Sequence, residues 1–144
     1  MLAVLITLTP GHRNEFIDCQ KAKVRIAVLP IMDGKTRWNS TLELLERAYQ
    51  LQQFTCEWLQ NLNYTEYRPL FTTQDEWTIV KYVMEVLWPF QYWTLWMSKR
   101  YTVTLHYVIT VYNDMFDHMD GVMRALAKKK TQWKEDLFFA VKLA

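Results

Sequence analysis

The residues best placed to do chemistry lie in the stretch Asp33-Gly34-Lys35-Thr36-Arg37-Trp38-Asn39-Ser40-Thr41. It sets a guanidinium and an indole side by side, just ahead of a helix start. An Arg can hold phosphate through paired hydrogen bonds, and an exposed Trp can stack on an unpaired base. A purely structural role competes: Trp38 can act as a hydrophobic staple, packing near Leu44 on the helix it precedes. Residue chemistry alone leaves the two readings level. Further on, Asp114, Asp117 and His118 could offer metal ligands from one helical face. They fall opposite an apolar stripe, however, as any amphipathic helix requires, so a solvated polar face is the favoured reading. The rings of Trp88, Phe90, Tyr92, Trp93 and Trp96 could form a stacking platform for bases. Core packing beside Pro89 is favoured for them, because aromatic stripes at helical spacing usually face a core. The sequence has no Gly-rich phosphate loop, no His-Glu-x-x-His, no Cys-x-x-Cys and no Gly-x-Ser-x-Gly.

The elements that must position these residues follow from composition and periodicity. Hydrophobic residues make up 51% of the 144 and aromatics 15%, far more than a disordered chain carries. Three Gly and four Pro are too few for an all-β protein built on tight turns. The net charge of +2 does not by itself argue for nucleic acid. Basic residues cluster at Lys21, Lys23 and Arg25, at Lys35 and Arg37, and at Lys128 to Lys130, each of which reads first as solvated surface. Cys19 and Cys56 lack metal-type spacing and are expected to be free thiols. The apolar run Met1 to Leu8 is too short to cross a bilayer and lacks a basic lead, so it reads as a short buried strand or a ragged chain start.

Thr9-Pro10-Gly11 breaks that run, and His12 to Ala22 reads as a short helix with Phe16 and Cys19 inward. Val24 to Ile31 is rich in β-branched residues and is expected to be extended. Ser40 and Glu43 fit a capping box opening a long helix, with Leu44, Ala48, Leu51, Thr55, Trp58 and Leu62 as its inner stripe. Glu43 and Arg47 stand one turn apart on it. Thr73 and Glu76 form a second capping box before a helix that is apolar almost all round, expected to be central and kinked at Pro89. From Thr104 another helix presents Leu105, Val108, Ile109, Tyr112, Met115, Phe116, Met119, Val122, Met123 and Leu126 on one face. Thr131 can cap a last helix carrying Trp133, Leu137, Phe138 and Val141, which is still amphipathic at Ala144.

At this point the chain resembles a known family. Thr36-Arg37-Trp38-Asn39-Ser40-Thr41, followed by Leu44-Leu45-Glu46-Arg47-Ala48, is similar to the TRWNST–LLERA segment of hAT transposases. Glu76-Trp77, then Leu87-Trp88-Pro89-Phe90, Thr94 and Ser98, resembles that family's downstream pattern. Tyr101 to Tyr112 resembles its continuation, with Val103 where the family often has Pro. Arg13, Phe16 and the approach to Asp33 also fit, and the likeness extends from about Arg13 to Ala144. Several signals in the right order are more specific than one motif.

The resemblance implies an RNase H-like domain interrupted by a helical insertion, with Asp, Asp and Glu carboxylates holding Mg or Mn in the parent enzymes. By the same alignment this chain starts after both catalytic Asp positions, stops before the Glu, and lacks the family's Cys-x-x-His signature and its zinc-finger and dimerisation regions. Asp33 is not a catalytic Asp in that alignment. The resemblance carries a DNA-end role, with the Trp handling a flipped base, to Arg37 and Trp38, with Lys35 assisting. The expectation is therefore a mainly α fold: a helical bundle, with room for a short N-terminal strand left from an RNase H-like core. Residues 1–34 are expected to be that remnant and 35–144 the helical insertion. The expected function is a transposase-like fragment that contacts transposon-end DNA and is no enzyme by itself. No catalytic residue, metal site or cofactor is expected in the fragment. The expected location is the nucleus, with no membrane contact. A stand-alone helical interaction module, with a protein partner or self-association, is the alternative, as is a functionless transposon relic.

Overall fold

The computed structural model describes residues 2–32, 38–61, 70–99, 105–131 and 133–143. Seven α-helices lie among them: α1 (Leu2–Leu8), α2 (Pro10–Lys21), α3 (Trp38–Gln50), α4 (Gln52–Asn61), α5 (Gln74–Met97), α6 (Val108–Lys128) and α7 (Lys134–Leu143). A 3-10 turn at Leu105–Tyr107 precedes α6. The mainly helical expectation holds, and the described residues contain no strand. Contacts divide the chain into two compact units, Met1–Met84 and Glu85–Ala144, with α5 contributing to both. The boundary expected at residue 34 lies outside the described residues.

Both segments expected to be extended need correction. The opening run forms α1, with Ile6 fully buried and the Thr7 hydroxyl donating to the Ala3 carbonyl. A short apolar run has no period that separates helix from strand. A helix satisfies its own backbone, whereas a strand needs a neighbour, and the described residues supply none. Val24 to Ile31 is irregular rather than a strand for the same reason. Its backbone is held from the side. Gln20, only 1% exposed, accepts from the Val28 N–H through Oε1 (3.0 Å) and donates to the Val28 carbonyl through Nε2 (2.8 Å). Nε2 also lies 3.5 Å from the Phe16 carbonyl. Arg47 donates to the Leu29 carbonyl at 3.4 Å.

These bonds place Val28 and Leu29 against the first unit's core of Ile6, Phe16, Leu51, Trp58 and Leu59. His12 and Phe16 meet the Trp58 ring edge-on at 5.5 and 5.8 Å. The break expected at Thr9-Pro10-Gly11 falls at Thr9, which is extended between α1 and α2 and precedes Pro10. Pro10 stands in the first turn of α2, where its missing N–H costs nothing. Phe16 points inward as expected, while Cys19 is half-buried.

The long helix expected from Ser40 is two helices. α3 begins at Trp38, so Ser40 is its third residue and not its cap. Ser is tolerated inside a first turn, and its hydroxyl does not fix where the helix starts. A turn at Leu51 separates α3 from α4, yet Leu51 N–H still reaches the Arg47 carbonyl (3.1 Å) and Thr55 N–H the Leu51 carbonyl (2.9 Å). Leu51, Thr55 and Trp58 are buried as expected, and Leu62 lies outside the described residues. The second capping box forms: Thr73 N–H donates to Glu76 Oε2 (2.6 Å) and Glu76 N–H to Thr73 Oγ1 (3.2 Å). These bonds hold the Glu76 carboxyl below its ordinary range, the backbone N–H of Thr73 being the main cause.

In the second unit α7 packs on α6. α7 starts at Lys134, so Thr131 is not its cap, though its carbonyl accepts from the Lys134 N–H at 3.3 Å. Glu135 and Asp136 instead supply negative charge to the first turn. α5 runs continuously through Pro89 and is not buried all round. Trp77 and Val86 are buried, but Trp88, Tyr92 and Leu95 are exposed.

Two stability measurements test this account. Gln20→Leu should lower the urea-unfolding free energy by about 1–3 kcal/mol, because both polar groups of Val28 lose their partner. Gln20→Glu should be more stable at acid than at neutral pH, since a protonated carboxyl both donates and accepts whereas a carboxylate only accepts. For the cap, Thr73→Ala should cost about 1 kcal/mol. The depressed Glu76 value means that its contribution is present above the unfolded-state value and lost as pH falls through the folded one. The stability gap between wild type and Glu76→Gln should therefore close on acidification, and an acid titration of both proteins checks it.

Candidate nucleic-acid interface

The structure treats the sequence-predicted residues unequally. Lys35 and Arg37 lie outside the described residues. Trp38 is described through its backbone alone, as the first residue of α3. This position has a physical consequence. The leading N–H groups of a helix lack intrahelical partners and carry the positive end of its dipole. The first turn of α3 contains no acidic residue to compete for that field. An anion approaching Trp38 would meet backbone donors, and Lys35 and Arg37 are next in sequence.

The other basic clusters are partly spent inside the protein. Lys21 pairs with Asp18 at 3.3 Å, and Lys23 pairs with Glu57 across from α4. The Lys23 bond, helped by Gln53 at 3.1 Å, holds the Glu57 carboxyl below its ordinary range. Burial, and then the Glu57 charge, push the Cys19 thiol up, which makes it a poor nucleophile. Lys129 lies 5.4 Å from the centre of the Trp133 ring, a cation–π distance.

The candidate metal face resolves into packing on one side. Asp114 and Asp117 are exposed, whereas His118 turns toward α5. Its Nε2 lies 3.0 Å from the Val86 carbonyl, and since a carbonyl only accepts, that nitrogen carries the proton. Phe90 and Trp93 meet the imidazole edge-on at 5.8 and 6.1 Å. Among the described residues no group of three or more His, Cys, Asp or Glu is placed to hold a metal ion. His118 is the functional-looking residue whose role the sequence reading missed. The signal was its place between Met115 and Val122, on the side of α6 that turns inward.

The aromatic series divides. Phe90 and Trp93 pack on His118, and Trp96 meets Tyr107 at 5.1 Å. Trp88 and Tyr92, expected in a core, stack on each other at 6.1 Å with both rings exposed. Among the described residues no helix is long and apolar enough to cross a membrane.

Comparison with known proteins decides the family. Residues 5–86 match the model of the ZBED1 RNase-like helical domain. The chain belongs to that family. The match covers Lys35, Arg37 and Trp38, and it supports the hAT-like, transposase-derived origin that the Arg-Trp segment implied. Among curated proteins the helical domain is similar to tpeD of Talaromyces stipitatus, which is named as a candidate transcriptional regulator. The two are 34% identical over 127 residues, which is 88% of this chain and 14% of tpeD. The chain thus spans about a seventh of that relative's length. No solved structure matches the helical domain.

If His118 is a packing residue, His118→Ala should cost about 1–2 kcal/mol in chemical denaturation. Zinc or magnesium should leave the melting temperature of both proteins unchanged. A metal-dependent rise in the wild type that His118→Ala abolishes would restore the metal reading.

Proposed function

We propose that this chain is a non-catalytic helical domain of a transposase-derived nuclear protein, and that it meets DNA ends through Lys35, Arg37 and Trp38. One observation carries the reading most: Trp38, within the family match, is the first residue of α3, where backbone donors and a helix dipole favour phosphate. Arg37 would hold backbone phosphate by paired hydrogen bonds, Lys35 would add charge, and Trp38 would stack on an unpaired base. The contact needs no cofactor. Mg or Mn belongs to the carboxylates of the parent enzymes. The name of tpeD, which points to regulation in place of DNA cutting, supports the non-catalytic and nuclear parts.

Fluorescence anisotropy with hairpin-ended and intact duplex DNA over a salt series tests the contact. The wild type should prefer the hairpin, weaken as salt rises, and bind equally in EDTA. Trp38→Ala should lose about tenfold in hairpin affinity, within the range of one stacked base, while its circular dichroism spectrum stays unchanged. Equal binding by wild type and Trp38→Ala, or no binding at low salt, would sink the reading.

A further inference from the structure

We draw no further inference here: the strongest candidate, the open cavity between the C-terminal half of α5 and the start of α6, lined by Trp93, Met97, Val108, Val111, Tyr112 and Met115, carries none, because its lining is apolar and uncharged and nothing in the structure shows what covers it.

Discussion

The first unit depends on the pairing of a buried glutamine with one residue's backbone. Gln20 offers Val28 both a donor and an acceptor, the two things a neighbouring strand would offer. An extended segment buried without such a partner would leave unpaired N–H and C=O groups, each costing about 1–3 kcal/mol. With Gln20 in place, the segment can press Val28 and Leu29 onto the core without belonging to a sheet. The same bonds orient α2, because Gln20 and Phe16 lie one turn apart and share its buried face. The aromatic contacts of Phe16 and His12 with Trp58 then fix α2 against α4. Arg47, reaching Leu29 from α3, ties in the helix that Trp38 begins.

Much of this was legible in the sequence, and the gaps have physical causes. The helical class of the fold follows from periodicity and low Gly content, but α1 and the break between α3 and α4 do not. The Thr73–Glu76 box formed as spelled, because both partners are local and compete with nothing. The Ser40–Glu43 box has the same spelling and did not form, because the helix began two residues earlier. α1 was misread because seven apolar residues cannot display a period. The role of Gln20 was hidden because its partner is eight residues away in a segment of irregular structure. A polar residue on the inner face of a helix, beside Phe16 and Cys19, was the available signal. Of the candidate site, Trp38 is placed at a helix start, while Lys35 and Arg37 lie outside the described residues.

In the second unit the orientation of α6 is set by a polar contact. Pro89 has no N–H, so the Glu85 carbonyl loses its helical donor, and the ladder is open one residue from the Val86 carbonyl that His118 reaches. With His118 inward, the residues that share its side of the helix turn inward with it, namely Val111 and Val122. The residues a third to a half of a turn away turn outward, and these include Ile109, Tyr112 and Phe116. The stripe read from the sequence joined Ile109, Tyr112 and Phe116 to Val122 and Leu126 as one face and put His118 opposite, which is why part of it was assigned to the wrong side.

The energies show what that orientation leaves over. A buried hydrogen bond is worth about 1 kcal/mol net, and each ring contact on His118 about 0.5–1.5. Leaving Ile109, Tyr112 and Phe116 in water forgoes burial worth about 1.5–3 kcal/mol for each side chain of that size. The histidine anchor therefore does not offset what the outer stripe could gain. Val111, Val122 and Leu126 supply the rest of the hold on the inner side. That burial is not gained within the described residues.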